Sequence, residues 1–312
     1  MNTIVRLWNQ NRRIIIVVIA VIVFLIIILQ VLNEMAKRQN EAKRENKVVL
    51  TEEEKKLPTE SIIGGDSVSI DTTKDNVAII QEFIDKCNKK DVAGAYNMLT
   101  TGCKNAMYKT EELFKTGYCD VLFAQSKLAN IDQFLSRDGR YTYLVKLYID
   151  PLTTGNATSA ESYQDYITID KDGKLNIRNL IYAKDINKKV EKNGVTITIV
   201  SQEIYKDNEK YQVKVENKTG KTIGIDTGTK AKTIYVVGDN NVVYGSNILE
   251  IASIQYKIEN NASRTYTLKF NKIYSSNVKT FAMVFTDILP DYEQYKISPD
   301  TVKDRIEMGI EF

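Results

Sequence analysis

Apolar and polar residues follow several distinct patterns along this chain of 312 residues. Near the N-terminus, residues 14–32 form an apolar run of 19 residues without a charged side chain. An α-helix needs about 20 such residues to cross a bilayer. A buried globular helix is rarely apolar on every face, and no small-residue cleavage site of a signal peptide follows the run. The pattern predicts one transmembrane helix at 14–32, preceded by a short cytoplasmic tail at 1–13.

A second pattern, over residues 33–74, is rich in charged residues and poor in apolar ones. Apolar residues do not repeat every seven positions there, which argues against a coiled coil. Thr51 and Glu54 have the spacing of a helix capping box. Gly64-Gly65, with Ser and Thr nearby, is typical of a flexible linker. We therefore expect a charged stalk and linker over 33–74.

From about residue 75, the spacing of apolar residues becomes helical and later alternates as in strands. An apolar helical stripe runs through 77–87, and Asp91 and Thr110 are placed to cap two further helices. Strands are expected at 141–149, 166–169 and 175–181, with a hairpin turn at 170–174. Helices followed by such strands predict an α+β domain over 75–186, in which the helices pack on a curved antiparallel sheet.

Past a charged hinge at 184–189, short alternating stretches recur about every ten residues. Strands are expected at 195–200, 210–216, 232–237, 242–244, 254–258, 264–270 and 280–285. Strands of this length and spacing are typical of an antiparallel β-sandwich, here over 187–312. The complete fold prediction is thus an α+β domain plus an all-β sandwich, behind one N-terminal transmembrane helix.

Composition narrows the chemistry that these domains can carry out. The chain has no histidine, three cysteines outside any CxxC pair, and 43 basic residues against 40 acidic ones. The missing imidazole excludes Ser-His-Asp and Cys-His nucleophile systems and His-ligated zinc or haem. The cysteine spacing disfavours a Cys-only zinc site, and the balanced charge disfavours nucleic-acid binding. We therefore expect no catalytic residues, no cofactor and no metal.

All three cysteines fall within the expected α+β domain. Cys103 and Cys119 could form a disulfide that closes a short loop, which would suit an exported domain. Cys87 lies on the apolar helical stripe, as a small core residue does. The alternative is that all three are buried free thiols, and the odd number leaves both interpretations open.

Parts of the chain resemble known families. The sequence FIDKCNKKDVAGAYNML at 83–99, followed by strands that end near residue 183, resembles the nuclear transport factor two-like fold. That resemblance implies a cone formed by helices and a bent sheet. In enzymes that fold hosts a His-Asp or an Asp-Tyr site. This chain has no histidine, and its candidate carboxylates Asp85 and Asp120 have no feature that distinguishes them from surface acids, so no catalytic role carries over. YQVKVENKTGKTIGID at 211–226 and SRTYTLKFN at 263–271 resemble immunoglobulin-like accessory domains of Gram-positive surface proteins, which implies no reactive site.

Together these features predict a single-pass, membrane-anchored binding or scaffold protein of a Gram-positive-type cell envelope, without catalytic activity. Positive charges flank the apolar run on both sides. Arg12 and Arg13 abut its N-terminal edge, and the domains expected downstream favour an extracytoplasmic C-terminal part. The expected partners are the lipid bilayer and envelope or membrane proteins, including further copies of the chain, and no nucleic acid.

The sequence leaves three alternatives open. Anchored proteins with the cone-shaped fold resemble bridge components of conjugative type IV secretion machines, which contact other membrane subunits. A sensor would bind a small ligand and signal through the stalk to a partner. An enzyme based on carboxylate and tyrosine chemistry would need a closed pocket with an Asp or Glu beside a Tyr.

Overall fold

The structure, a computed structural model, describes residues 65–150, 162–225, 233–246 and 256–312. The predicted tail at 1–13, the predicted transmembrane helix at 14–32 and most of the predicted stalk lie outside these ranges. Within them, no helix combines the length and the apolar character that crossing a bilayer requires. The described residues belong to one compact unit, 57–312.

The described part of the chain begins with one long helix, and several short helices follow it. They are α1 (Ile70–Asn88), α2 (Val92–Asn97), α3 (Thr101–Met107), α4 (Glu111–Phe114), a π-helical turn (Lys115–Cys119), α5 (Asp120–Leu122) and, much later, α6 (Tyr292–Ile297). The side chain of Ser69 accepts a hydrogen bond from the backbone N–H of Thr72 and so begins α1. The expected linker therefore ends before residue 74. Asp91 and Thr110 cap α2 and α4, which confirms both predicted caps.

Fourteen strands are formed by the described residues. They are β1 (Leu128–Arg137), β2 (Arg140–Tyr148), β3 (Tyr163–Ile169), β4 (Leu175–Asn176), β5 (Leu180–Lys192), β6 (Val195–Tyr205), β7 (Glu209–Asn217), β8 (Ile223–Gly224), β9 (Ile234–Gly238), β10 (Val243–Gly245), β11 (Lys257–Ile258), β12 (Ser263–Phe270), β13 (Thr280–Ile288) and β14 (Ile306–Glu311). Their sheet orders are β1-β2-β3-β4, β12-β7-β6-β5, β10-β9-β13-β14 and β11-β8. All of the pairings between these strands are antiparallel.

One hydrophobic core lies between the N-terminal helices and the sheet β1-β2-β3-β4. Ile80, Phe83 and Ile84 of α1 are buried there, at the period that places them on one face of a helix. They share this core with Val145 and Leu147 of β2, which alternate with less buried neighbours as strand geometry requires. The helices therefore cover one face of this sheet.

A second core is shared by the other two four-stranded sheets. In β7, every second residue from Glu209 to Asn217 is buried, so the strand presents one face inward. Tyr211 and Val213 on that face lie in the same cluster as Val236 of β9. The sheet β12-β7-β6-β5 and the sheet β10-β9-β13-β14 thus bury their apolar faces in a common interior.

The fold-class prediction is wrong. It joined an α+β domain to a separate all-β sandwich behind a transmembrane helix, whereas the described residues form a mostly antiparallel β structure. Among them, only α1 is a helix of more than seven residues. The segment 184–189, expected to be a hinge, lies inside strand β5, whose pairing with β6 shifts register between Asp185 and Lys188. Charged residues suit that strand because most of its second half is exposed to solvent.

Candidate functional site

A cavity of about 310 Å³ lies where several strands and one loop meet. Its walls come from the β1–β2 turn, from β5, β6 and the start of β7, from the loop between β12 and β13 with the start of β13, and from Phe312. The lining residues are Arg137, Asp138, Tyr182, Lys184, Gln202, Ile204, Glu209, Lys272, Tyr274, Asn277, Val278, Lys279, Thr280, Phe281 and Phe312. The volume is at the lower end of the range found for small-molecule sites.

A buried ion pair forms one wall of this cavity. The Lys272 Nζ atom lies 2.6 Å from the Glu209 Oε1 atom, and these residues are only 3% and 0% exposed. The other carboxylate oxygen, Oε2, accepts from the hydroxyls of Tyr211 at 2.7 Å and Thr280 at 2.9 Å. Removal of two charges from water is costly unless they are paired and hydrogen-bonded, and this network meets that condition.

The same network fixes the orientation of the Gln202 side-chain amide. Its nitrogen lies 2.7 Å from the Tyr211 hydroxyl and 3.1 Å from the Thr280 hydroxyl. Each hydroxyl has a single hydrogen, and the ionised carboxylate of Glu209 can only accept one. In the structure both hydroxyls donate to Glu209 and accept from Gln202, whose NH₂ group faces them, and the two hydroxyl oxygens lie 2.8 Å apart.

This orientation leaves the other end of the amide unsatisfied. The Oε1 atom of Gln202 is buried and has no hydrogen-bond partner among the described residues, and the same holds for the hydroxyl of Tyr274. Gln202 and Tyr274 are 2% and 9% exposed, and both line the cavity. An unmade hydrogen bond of a buried acceptor costs about 1–3 kcal/mol.

The cavity walls also carry an excess of positive charge. Four cationic side chains, Arg137, Lys184, Lys272 and Lys279, line it together with two carboxylates, Asp138 and Glu209. Glu209 is paired with Lys272, and Asp138 lies 3.5 Å from Lys279. Two cationic side chains therefore have no matching side-chain carboxylate within the cavity lining. The remaining walls include the apolar side chains of Ile204, Val278, Phe281 and Phe312.

A larger and more polar cavity, of about 460 Å³, adjoins the first one and shares Asp138 and Tyr182 with it. Arg140 belongs to this second cavity and lies over the Tyr182 ring, with its guanidinium carbon 4.2 Å from the ring centre. Burial raises the pKa of Tyr182 to about 12, although Arg140 acts in the opposite direction. Tyr182 therefore stays neutral and separates the two cavities as an aromatic wall.

An inward carboxylate beside a tyrosine, as the enzyme alternative requires, does occur in the first core. Asp165 of β3 is completely buried, and its Oδ2 atom lies 3.3 Å from the Tyr118 hydroxyl. The carboxylate also accepts from the backbone N–H groups of Arg178 and Asn179, both at 3.0 Å. These two residues have positive φ angles, 56° and 64°. Asp165 thus holds a strained turn, and it lines neither the first cavity nor its larger neighbour.

For the cysteines, the structure shows one of the two interpretations that the sequence left open. All three lie in the described part, are buried, and are free thiols. Cys119 lies beside Cys87, with 3.8 Å between the sulfur atoms. Cys103 instead interacts with the backbone of Ile177, and burial raises the pKa of its thiol to about 12. Over the described ranges, His, Cys, Asp and Glu side chains form no cluster of three or more that could hold a metal.

Sequence reasoning missed all of the residues of the buried network. One signal was available, because Glu209 is in phase with Tyr211, Val213 and Val215 in an alternating strand. A glutamate on the inward face of a strand needs a buried partner. Lys272 follows the end of β12, where no such pattern applies.

Comparisons with known proteins do not assign a family. No protein-family model and no curated protein matches the chain. A solved structure of a functionally unknown protein from Listeria monocytogenes EGD-e is similar to 43% of this chain and 85% of its own, with 11% sequence identity and a TM-score of 0.31. A TM-score of this size does not establish a shared fold. The resemblances to the nuclear transport factor two-like and immunoglobulin-like families find no support in these comparisons.

Proposed function

We propose that this chain is a non-catalytic binding protein of the cell envelope and that the 310 Å³ cavity is its ligand site. The observation that carries the proposal is the unpartnered Oε1 atom of Gln202, held in place by the buried Glu209–Lys272 pair. A buried polar network that lines a cavity and lacks one donor is suited to a ligand that supplies that donor.

The walls of the cavity define the chemistry of the ligand. Gln202 requires an N–H or O–H donor, and the Tyr274 hydroxyl can donate or accept. The excess positive charge of the lining favours an anion, and Lys184 and Arg137 are the cations without a matching carboxylate there. The apolar side chains favour a hydrocarbon part. A small N-acylated amino acid, or the carboxyl-terminal residue of a peptide, has all three features.

The saturation of the buried carboxylates argues for binding without catalysis. Glu209 accepts from Lys272, Tyr211 and Thr280, so its lone pairs are directed at protein groups. A general base must instead have a lone pair within reach of the substrate proton. Asp165 is engaged in the same way by the turn at 178–179.

The location at the cell envelope rests on the sequence alone. The apolar run at 14–32 favours attachment to the membrane, and it lies outside the described residues. Protease treatment of wall-free cells that carry a C-terminal epitope tag tests the expected topology. Digestion of the tag, with a cytosolic control protein intact, is expected. Survival of the tag until lysis would place the binding site in the cytoplasm and refute this part of the proposal.

Ligand binding is best tested on the full chain in detergent with N-acetyl-L-phenylalanine as the probe. At about 0.3 kcal/mol per non-hydrogen atom, a probe of this size is expected to bind with a Kd of about 0.1–1 mM, which saturation-transfer NMR detects. The corresponding amide, N-acetyl-L-phenylalaninamide, lacks the charge and should bind at least about tenfold more weakly. Equal signals from acid and amide, or no saturable signal from the acid, would exclude this ligand class.

Two matched tyrosine variants show whether the probe occupies this cavity. Tyr274→Phe removes a hydroxyl that has no hydrogen-bond partner in the described part, so stability should not fall while binding weakens. Tyr96→Phe, the control, removes a hydroxyl that donates to the Tyr108 carbonyl at 2.9 Å outside the cavity. It should leave binding unchanged. Equal binding by both variants and the wild type would place the probe elsewhere.

A further inference from the structure

The thiols of Cys87 and Cys119 are neighbours in the interior of the first core. Their sulfur atoms are 3.8 Å apart, and both residues are 0% exposed. Cys87 lies in the last turn of α1, and Cys119 ends the π-helical turn at Lys115–Cys119. A covalent disulfide has its sulfur atoms about 2.0 Å apart, so the two atoms must approach each other by about 1.8 Å.

Aromatic side chains hold the two segments against each other. The ring centre of Phe83, one turn before Cys87, is 5.9 Å from that of Tyr118 and 6.3 Å from that of Phe114. Tyr118 immediately precedes Cys119 in the chain. The rings of Phe114 and Tyr118 are themselves stacked, with centres 5.5 Å apart. Packing at normal interior density keeps the two sulfur atoms together once this cluster has formed.

We propose that Cys87 and Cys119 form a disulfide when the chain folds in an oxidising compartment, and that Cys103 remains a free thiol. This inference is independent of the ligand cavity. The oxidant is a disulfide, either a small molecule or the active site of a thiol oxidase. One cysteine thiolate attacks a sulfur atom of the oxidant, forms a mixed disulfide and releases one thiol. The second thiolate then attacks the first cysteine and releases the second thiol.

The reaction is balanced in atoms and electrons. Two cysteine thiols and one oxidant disulfide become one protein disulfide and two oxidant thiols, so two electrons and two protons pass to the oxidant. Because both cysteines are completely buried, the oxidant must reach them before the core closes. The bond is therefore made during folding, and the folded protein shields it from later reduction.

The test uses the full chain, reduced and unfolded, then refolded in detergent with a mixture of oxidised and reduced glutathione. Peptide mapping by mass spectrometry after acid quenching identifies the linked cysteines. We expect one internal bond, Cys87 to Cys119, with Cys103 available to an alkylating reagent after denaturation. A Cys103–Cys119 bond, a mixture of pairings or the absence of any internal bond would overturn the proposal.

Single variants provide the matched controls. Cys103→Ser should form the same bond in the same yield, whereas Cys87→Ser and Cys119→Ser should form none. The melting temperature provides a second readout, because the bond constrains the unfolded chain. Oxidation should raise it by several degrees in the wild type and in Cys103→Ser, and should not change it in Cys87→Ala. An equal shift in Cys87→Ala would show that oxidation acts elsewhere and would refute the assignment.

Discussion

The buried pair of Glu209 and Lys272 gives the sharpest prediction about stability. Lys272→Met replaces the cation with an apolar side chain of similar length and leaves the carboxylate of Glu209 completely buried without its counter-charge. Removal of one partner of a buried ion pair costs about 3–5 kcal/mol. Glu209 keeps its hydrogen bonds from Tyr211 and Thr280 at the other oxygen. We therefore expect a loss at the lower end, about 3 kcal/mol of the free energy of unfolding.

The double variant Glu209→Gln with Lys272→Met separates the charge from the packing. It leaves no uncompensated charge, and the carbonyl of the new glutamine can still accept from the two hydroxyls. The amide nitrogen of the new glutamine takes the place of the oxygen that accepted from Lys272, and a buried N–H group without an acceptor there costs about 1–2 kcal/mol. The double variant should therefore be more stable than Lys272→Met alone, so that the two substitutions are strongly non-additive.

Urea unfolding of the full chain is the appropriate assay, because urea does not screen charges as guanidinium does. With a slope of about 3 kcal/mol per molar, the expected loss moves the midpoint by about 1 M. The reasoning would be refuted if the stability losses of Lys272→Met and Glu209→Gln added up to the loss of the double variant. A loss below about 1 kcal/mol for Lys272→Met alone would also refute it.

A second buried pair supplies the control. The Arg305 Nε atom lies 2.7 Å from the Oδ1 atom of Asp287, which is completely buried, and Arg305 itself is partly exposed. Neither residue lines the cavity. Arg305→Met should destabilise the protein to a smaller extent because water can reach the site. It should leave binding of N-acetyl-L-phenylalanine unchanged, whereas Lys272→Met should weaken it.

Two further substitutions test buried polar groups in the first sheet and its core. Both polar atoms of the Gln133 side chain are buried without a partner in the described part, so Gln133→Met should raise the free energy of unfolding by about 1–2 kcal/mol, and an unchanged urea midpoint would contradict this. Burial raises the pKa of Asp165 from 3.8 to about 6, against hydrogen bonds from Arg178 and Asn179. The folded state therefore binds this proton more tightly than the unfolded chain, and the Asp165 contribution to stability falls by about 2 kcal/mol from pH 4 to pH 6. That decline should appear as the difference between the wild type and Asp165→Asn, and an equal pH dependence of the two proteins would rule it out.

Local patterns in the sequence predicted individual elements where a single physical rule decides the structure. The strand expected at 210–216 is confirmed within β7, because apolar and polar residues alternate there without interruption. The caps Asp91 and Thr110 are confirmed because a short polar side chain before a helix has few other functions. The range 141–149 is confirmed as β2, displaced by one residue.

The β1–β2 hairpin was missed although a local signal was present. Asp138 and Gly139 join the two strands, and both have positive φ angles, as a two-residue hairpin turn requires. The alternation in β1 is obscured by a bulge between Gln133 and Leu135, where the four consecutive residues 133–136 are all buried. The missed hairpin contributes to the site, because its turn residue Asp138 lines both the ligand cavity and the larger neighbouring cavity.

Contacts between distant segments could not be read from the sequence. The partner of Cys119 depends on how α1 packs on the π-helical turn, and no local spacing encodes that packing. The course of β5 is a similar case. Its charged residues at 184–189 have the composition of a hinge, and only pairing with β6 makes them part of a strand. Composition therefore suggested a division where the chain is continuous.

This continuity has a consequence for unfolding. A small cluster that includes Phe134 of β1, Ile181 of β5, Ile204 of β6 and Tyr274 is buried beside the cavity, between the two larger cores. Separation of those cores would expose this cluster and break the pairing of β5 with β6, so neither core can unfold without a cost to the other. We therefore expect a single urea transition for 57–312, with coincident changes in near-ultraviolet and far-ultraviolet circular dichroism. Phe134→Ala should weaken the coupling between the two cores, so that each core unfolds in a transition of its own. Two separate transitions in the wild type would instead indicate independent domains joined by β5 alone.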